Sequence, residues 1–368
     1  MRWSRPRRTG TTTTTTTTSG PQTAPGPVVA VDANGADLGP AEVAAGAAIA
    51  AGRGARVLLF GPAAELGEPP PGVEIVDAPV SIAKAEDPVG AARVTKDASI
   101  VLATKAVAEG RADALVCAGG TGAALAAGTF NIKRDRGIYR PALALPVPVP
   151  GHPVTLLDVG ASAEARREHL VQFAFMGAAL ARIVLGVPKP RVGLLSNGEE
   201  AARGGPLVVE TGAELRERAA AIDSFTFVGN VEGGDLVSGA ADVVVTDGFT
   251  GNIALKVLEG TSQTILRAIR DAALSSPRGR VGGLLLKGPL GTLRAEIDPE
   301  GVGGAYLLGL RRLGVVPHGR FTREGFAQAI LRARLGAAED IVGQTRAALA
   351  AAGALRRSPA SAQDARLP

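Results

Sequence analysis

The chain has 368 residues, of which 46% are hydrophobic and only 3% aromatic, and its formal net charge is +5. A chain of this length buries a large core, in one big or two medium domains. One cysteine, Cys117, excludes a disulfide framework and a cysteine-rich metal site. No apolar run approaches the roughly 20 residues that cross a bilayer. We therefore expect a cytoplasmic protein without a metal.

Both ends of the chain differ in composition from the rest. Residues 1–27 hold four arginines and then eight consecutive threonines. They lack the apolar stretch of a signal peptide and predict a disordered low-complexity tail. Because these arginines supply most of the net charge, the folded part is nearly neutral and we expect no nucleic-acid binding. Residues 354–368 are predicted to be a flexible tail, which leaves 28–353 as one domain.

Strand and helix patterns alternate between the tails. Short apolar or β-branched runs predict strands at residues 28–32, 57–60, 114–118, 142–147, 154–159, 191–195, 225–228, 243–245 and 315–317. Helical periodicity predicts helices that include residues 88–109, 168–185, 252–273 and 323–351. This alternation is typical of an α/β fold with a mostly parallel sheet that is covered on both faces.

Glycine and small polar residues follow many of these strands. The loops that carry them contain Asp32 and Asp37; Gly119, Gly120, Thr121 and Gly122; Asp158; Asp247, Gly248, Thr250, Gly251 and Asn252; and His318. Open α/β folds bind ligands at the carboxyl ends of their strands, so we expect these loops to form one crevice whose backbone amides bind an anion. The G-x-G-x-x-G and G-x-x-x-x-G-K-[ST] spacings are absent, and no cofactor is predicted.

Each feature also has an ordinary structural interpretation. Glycines after strands are commonly turn formers, and Asp32 and Asp158 can simply cap helices. Arg93 and Lys256 can be solvated surface cations, and His318 can be a packed loop histidine. The accumulation of such loops, more than any one residue, favours a functional site.

Several longer motifs point to one bacterial family. They are L-L-D-V-G-A-S at residues 156–162, F-V-G-N-V-E-G-G-D at 227–235, V-V-V-T-D-G-F-T-G-N-I-A-L-K at 243–256, R-P-A-L-A at 140–144, and the pair His318 and Gly319. In order and spacing they resemble the bacterial phosphate acyltransferase family, PlsX, over residues 28–350. The resemblance implies a three-layer α/β/α sandwich, similar to phosphotransacetylase and isopropylmalate-dehydrogenase-type folds, and a homodimer.

The resemblance also implies an activity. Family members make acyl phosphate from acyl-(acyl carrier protein) and inorganic phosphate, for phospholipid synthesis. A thiol with a pKa near roughly 8.5 is a fair leaving group, so the reaction needs positioning and oxyanion stabilisation more than an enzyme nucleophile. On this basis His318, Lys256 and Asn252 are the predicted catalytic residues, with His318 as proton carrier. The predicted substrate-binding residues are Gly119, Gly120, Thr121, Gly122, Asp158, Gly248, Thr250, Gly251, Arg93 and Arg140, and the orienting residues are Asp32, Asp37 and Asp247.

Departures from the family pattern keep other functions open. Gly120 stands where the family has an asparagine, Leu38 where it has a histidine, and Arg203 where it has a lysine. A non-catalytic paralogue that binds acyl carrier protein or the membrane is one alternative. A coenzyme A-dependent phosphotransacylase is another.

The segment 281–293 predicts a further contact. It contains a leucine cluster flanked by Arg278, Arg280, Lys287 and Arg294, and four glycines with Pro289 that weaken a helix. In the family a helical hairpin of this region lies near the dimer interface and touches the membrane beside a glycerol-phosphate acyltransferase. We expect either peripheral contact with the inner face of the membrane or burial in the dimer.

Overall fold

The computed structural model describes residues 26–151 and 153–356. The predicted N-terminal tail therefore lies outside the described residues, apart from Gly26 and Pro27, and so does the segment after residue 356. The start of the predicted C-terminal tail is packed on the domain. Ala354 is buried, and its carbonyl accepts a 2.9 Å hydrogen bond from Gln172 Nε2. The folded domain thus extends past the predicted boundary at residue 353.

The described residues contain one sheet of eleven strands. These are β1 (Val28–Asp32), β2 (Arg56–Gly61), β3 (Val73–Asp77), β4 (Ala114–Cys117), β5 (Ala142–Val147), β6 (Val154–Leu157), β7 (Arg191–Leu195), β8 (Thr226–Val231), β9 (Val243–Val245), β10 (Ala305–Leu308) and β11 (Leu313–Val316). Their order across the sheet is β3-β2-β1-β4-β11-β10-β5-β6-β9-β7-β8. Most pairings are parallel, which confirms the predicted sheet.

Three consecutive antiparallel pairings reverse the strand direction midway across this sheet. They join β11 to β10, β10 to β5, and β5 to β6. Consequently β1, β4 and β11 end at one edge, which we call the first edge. The strands β6, β9, β7 and β8 end at the opposite edge, which we call the second edge.

Helices cover both faces of the sheet. They are α1 (Pro40–Gly52), α2 (Ala63–Leu66), α3 (Pro88–Val94), α4 (Ser99–Ala108), α5 (Thr121–Ala127), α6 (Arg167–Val184), α7 (Pro206–Ala220), α8 (Gly248–Leu274), α9 (Pro277–Glu296), α10 (Arg323–Ala338) and α11 (Ile341–Ala351). Alternate strand residues pack into separate cores, as the pleat requires. Val29 and Val31 of β1 pack with α1, α6 and α10, whereas Ala30 packs with α4 and α5. The predicted three-layer α/β/α fold is confirmed.

Two predicted long helices are each interrupted. The helix predicted at 88–109 is α3 and α4, because Thr95 leaves the helical conformation and the amide of Ser99 donates to the carbonyl of Val80. The helix predicted at 323–351 is α10 and α11. Asp340 separates them in the left-handed region, at φ 48°, and its carboxylate caps α11. The strands β3 and β10 were not predicted.

The segment 281–293 is helical, in agreement with the helical hairpin that the resemblance implies, although its four glycines and Pro289 disfavour a helix. Ser276 caps α9, Pro277 occupies its first turn, and Pro289 lies inside it. The glycines bring α9 close to α8, since a Cβ at Gly283 would lie 3.1 Å from that of Ala273. No α9 residue is buried. In the described ranges no helix combines the length and hydropathy needed to cross a bilayer.

Candidate active site

On the second edge the loop that follows β6 packs unusually close to the first turn of α8. A Cβ added to Gly251 would lie 1.9 Å from the carbonyl oxygen of Asp158. A Cβ added to Gly248 would lie 2.1 Å from the carbonyl oxygen of Ser162. Only glycine permits this approach of helix and loop. The two glycines of the G-F-T-G-N motif therefore fix where α8 begins.

Asp158 organises the loop that follows β6. Its side chain is buried, and its Oδ1 accepts hydrogen bonds of 2.9–3.0 Å from the amides of Leu143, Gly160 and Ala161. Its Oδ2 accepts from the amide and the hydroxyl of Ser162, at 3.0 and 2.7 Å. A carboxylate with five donors holds its neighbours in place. Both oxygens of Asp158 are thus used in holding this loop, and its predicted contact with the substrate stays a prediction.

Asp247 caps α8. Its Oδ1 accepts from the amides of Phe249 and Thr250, and its Oδ2 from the hydroxyl of Thr250, at 2.7–3.0 Å. The amide of Gly251 donates to the carbonyl of Asp247. The amides of Thr250 and Gly251 are thus already used, contrary to the prediction that they bind an anion. In the described chain the amide of Gly248 donates to no acceptor, so it remains available.

Asn252 and Lys256 follow on the first turns of α8. Asn252 is half-buried, and its Cγ lies 4.0 Å from the position of a Cβ on Gly160. Lys256 is exposed one turn further along. Residues four apart share one helix face, so both side chains lie on the side of α8 near the Asp158 loop. This group of an amide, an amine and a helix N-terminus suits an anion or a developing oxyanion.

A second glycine junction lies on the first edge. A Cβ on Gly119 would lie 2.6 Å from the carbonyl oxygen of Gly35 and 3.0 Å from the Cα of Gly319. The amide of Asp37 donates to the carbonyl of Gly319 at 2.7 Å. The loops after β1, β4 and β11 therefore pack directly on each other. Sequence reasoning missed Gly35, although a glycine near each of three strand ends was a usable signal.

Several predicted anion donors on this edge are already bonded. The amide of Gly119 donates to the carbonyl of Pro317, and that of Thr121 to the carbonyl of Gly119. Of the four predicted donors at residues 119–122, Gly120 and Gly122 are the two whose amides donate to no acceptor within the described residues. Arg93 is exposed, with its guanidinium carbon 5.0 Å from the centre of the Phe130 ring. His318 is exposed, and its Nδ1 accepts from the amide of Arg320.

A buried polar cluster supports the first edge. Asp32 accepts from the amide of Asn34 at 3.1 Å and from the thiol of Cys117 at 3.4 Å. Asn34 in turn donates to the hydroxyl of Ser99 and the carbonyl of Ala78. Burial raises the pKa of Asp32 to about 6. Burial, and then the charge of Asp32, raise the pKa of Cys117 well above its usual range. Asp32 thus lies under the loop and not in a crevice.

We predict that Asp32→Asn stabilises the protein at pH 8 but not at pH 4. The folded-state pKa of about 6 lies above the ordinary value of 3.8, so folding favours the protonated acid. The resulting stability is complete below pH 3.8 and is lost as the pH rises through 6, by about 3 kcal/mol. Urea denaturation of wild type and variant at both pH values measures this difference. Equal stabilities at pH 8 would show that Asp32 ionises freely.

The predicted single crevice was wrong because of the strand reversal. His318 lies on the first edge, whereas Asn252 and Lys256 lie on the second. Four inter-strand spacings separate β11 from β9, which amounts to about 19 Å across the sheet. Within one chain the predicted catalytic residues therefore form two groups. Arg140, just before β5, belongs with Asn252 and Lys256, because the β5 amide of Leu143 bonds Asp158.

Comparisons with known proteins agree with this architecture. The family model described as "Fatty acid synthesis protein" matches residues 28–343. The phosphate acyltransferase of Thermobifida fusca (strain YX) is 41% identical over 319 residues, which cover 85% of this chain and 88% of that protein. The phosphate acyltransferase of Streptococcus equi subsp. zooepidemicus (strain H70) is 45% identical over 240 residues, or 65% of this chain and 70% of that protein.

Solved structures resemble the fold at low sequence identity. A phosphotransacetylase from Streptococcus pyogenes has a TM-score of 0.57 at 16% identity, covering 85% of this chain and 94% of that one. The EutD phosphotransacetylase from Staphylococcus aureus has a TM-score of 0.56 at 16% identity, covering 84% and 94%. These two structures establish the fold alone, whereas the family match and the sequence relatives establish the family. This chain therefore belongs to the phosphate acyltransferase family of enzymes, which the fatty acid synthesis protein model describes.

Proposed function

We propose that this chain transfers an acyl group from acyl-(acyl carrier protein) to inorganic phosphate, as a step of phospholipid synthesis. The observation that carries the proposal is the glycine crossing of α8 over the Asp158 loop. It places Asn252 and Lys256 within the first three turns of a 27-residue helix that begins on the second edge. Family membership supports phosphate as the acceptor. The carrier-bound thioester follows from the motif resemblance.

The reaction at this site is a direct phosphorolysis. A phosphate oxygen attacks the thioester carbonyl carbon, the C–S bond breaks, and the thiolate leaves with the electron pair. The products are an acyl phosphate and the free thiol of the carrier, since the thiolate takes up the proton that the attacking hydrogen phosphate loses. In our proposal Lys256 and Arg140 offset the phosphate charge, and Asn252 and the amide of Gly248 donate to the oxyanion. Asp158 and Asp247 hold these donors in position.

His318 has a separate place in the proposal. A thiolate is a fair leaving group, so the reaction at the second edge does not require a proton carrier for its chemical step. We keep His318, with Asp37 and the unbonded amides of Gly120 and Gly122, as a proposed second contact for the substrate. In that case His318→Ala raises the KM for the acyl donor more than it lowers kcat.

The first test replaces the proposed donors. Asn252→Ala and Lys256→Ala are each expected to lower kcat for acyl phosphate formation by about 100-fold, because preorganised donors contribute that much to oxyanion stabilisation. Glu259→Ala, on an exposed position of the same helix, is the matched control and should change kcat less than about 2-fold. Acyl phosphate is trapped with hydroxylamine. If both variants turn over at the wild-type rate, the second edge has no part in the reaction.

The same assay separates the remaining functions. Phosphate-dependent product from the carrier thioester supports the proposal. Faster turnover of acyl-coenzyme A would make the chain a coenzyme A-dependent phosphotransacylase. Absence of product from folded protein that still binds the carrier would make it a non-catalytic paralogue.

We also propose that the α8–α9 hairpin is covered in the working protein, by a second copy of the chain or by the membrane. Leu284 and Leu285 are 71% and 77% exposed, and Val281 is 61% exposed. Soluble surfaces rarely present such contiguous apolar side chains without a partner.

Leu284→Glu with Leu285→Glu is expected to disrupt whichever contact covers the hairpin. In a homodimer, sedimentation should show monomers for the variant and dimers for wild type. In peripheral membrane contact, flotation with anionic liposomes should fall at least several-fold while the oligomeric state stays unchanged. A variant that matches wild type in both measurements would leave the hairpin without a role.

A further inference from the structure

Two basic loops meet at the second edge. Residues 133–140 contain Lys133, Arg134, Arg136 and Arg140, all exposed, and the loop after β10 adds the exposed Arg311 and Arg312. The two loops run alongside each other. The amide of Arg311 donates to the carbonyl of Lys133 at 3.0 Å, and Arg134 forms a β-bridge with Leu310. Six cations therefore share one small surface.

Two more arginines extend this surface. The amide of Arg356 donates to the carbonyl of Gly137 at 2.8 Å, and the Arg356 side chain is exposed. Arg166 stands just before α6, close to His169. Burial lowers the pKa of His169, and the guanidinium groups of Arg140, Arg166 and Arg134 lower it further against the opposing charge of Glu168. We call the following set the basic rim: Lys133, Arg134, Arg136, Arg140, Arg166, Arg311, Arg312 and Arg356.

The charge of the basic rim is not neutralised by its own loops. In the loops 133–140 and 309–312 the single carboxylate, Asp135, is buried and pairs with Arg346 at 2.9 Å, and the segment of Arg166 adds Glu164 and Glu168. Among residues 26–151 and 153–356, no member of the basic rim forms an ion pair with a carboxylate. An unpaired cluster of this size marks a binding surface for an acidic partner.

The basic rim borders the candidate active site. Arg140 lies three residues before Leu143, whose amide bonds the carboxylate of Asp158. Arg166 lies four residues after Ser162, which packs against Gly248 at the start of α8. The rim and the Asn252 site therefore occupy neighbouring positions on the second edge. A partner seated on the rim would hold its cargo beside Asn252 and Lys256.

We propose that the basic rim docks an acidic face of the carrier protein that delivers the acyl thioester. This inference rests on the proposed function and adds to it the surface that recognises the protein part of the substrate. A lipid bilayer is a poorer fit, because the described exposed large hydrophobic side chains lie on other segments, many of them on α8 and α9. Charges at the rim of an interface act mainly by steering the association of the two proteins. Their effect on that association therefore falls as the salt concentration rises.

The test reverses charge on the rim without touching the proposed catalytic groups. The variant Arg311→Glu with Arg312→Glu is compared with Arg56→Glu plus Arg216→Glu, two exposed arginines elsewhere that change the net charge equally. Arg136→Glu on the other loop is a second, single variant. Arg134 stays unchanged because its guanidinium donates to the carbonyl of Tyr139. Each protein is assayed with acyl-(acyl carrier protein) and with a small acyl-pantetheine thioester.

The expected result is a rise of about 10-fold in the KM for the carrier thioester in the rim double variant, and a smaller rise in Arg136→Glu. Turnover of acyl-pantetheine should stay within 2-fold of wild type, and raising salt should shrink the difference. A rim variant that matches the control double variant on the carrier would overturn the docking proposal alone. Lost liposome binding with an unchanged KM would also overturn it, in favour of a membrane surface. Absence of acyl phosphate from either donor in wild type would instead refute the proposed function.

Discussion

Gly251→Ala is expected to abolish nearly all activity and to destabilise the fold. The added Cβ would lie 1.9 Å from the carbonyl oxygen of Asp158, and a backbone atom cannot rotate away as a side chain can. Either α8 shifts or the Asp158 loop moves. We expect a loss of about 3 kcal/mol in the free energy of unfolding. We also expect a drop of about 100-fold in kcat, because displacement of Asn252 by an ångström misaligns the donors.

Gly260→Ala is the matched control on the same helix. A Cβ there meets nothing within 4 Å, so alanine should stabilise α8 by about 1 kcal/mol and leave kcat unchanged. Urea denaturation and the hydroxylamine trap measure both quantities. If Gly251→Ala behaves like Gly260→Ala, the crossing does not define the site.

Removing the Asp158 carboxylate is expected to have the second large effect. Asp158→Ala leaves four amides and the Ser162 hydroxyl without their acceptor. Each buried donor that loses its acceptor costs about 1–3 kcal/mol, so we expect at least about 3 kcal/mol of destabilisation and loss of activity. Asp158→Asn retains one oxygen, so its free energy of unfolding and its activity should lie between those of wild type and those of Asp158→Ala.

Asp271→Asn, at an exposed position on α8, serves as the control and should leave both stability and kcat unchanged. In both stability and kcat we therefore expect wild type and the control to be highest, Asp158→Asn to be lower, and Asp158→Ala to be lowest. A direct substrate contact would give a different result, in which Asp158→Asn loses activity while its stability equals that of wild type.

Local patterns were sufficient to predict most of the sheet. The triplet Val243–Val245 is buried on both faces, and its apolar run indicated a parallel central strand. The strand β3 was missed because it is a partly exposed edge strand whose second residue, Glu74, breaks the apolar run. The breaks at Thr95 and Asp340 depend on backbone geometry that helical periodicity does not encode.

The candidate site was predicted less well, because its arrangement depends on strand direction. Sequence identified Gly248, Gly251 and Asn252 as a helix start beside a strand end. It could not show that β10, β5 and β6 pair antiparallel, and this separates His318 from Lys256. Nor could it show that Asp247 and Pro317 already bond several of the amides assigned to the substrate. The basic rim joins loops more than 150 residues apart, so no local pattern indicated it.

If phosphate attacks the thioester directly at the second edge, a single-turnover experiment should release thiol only when phosphate is present. Excess protein is mixed with acyl-(acyl carrier protein), with and without phosphate, and free thiol and acyl phosphate are followed together. We predict no thiol without phosphate, and with phosphate the appearance of both products at one rate and in equal amounts. A burst of thiol in the absence of phosphate would show an acyl-enzyme intermediate and contradict direct attack by phosphate.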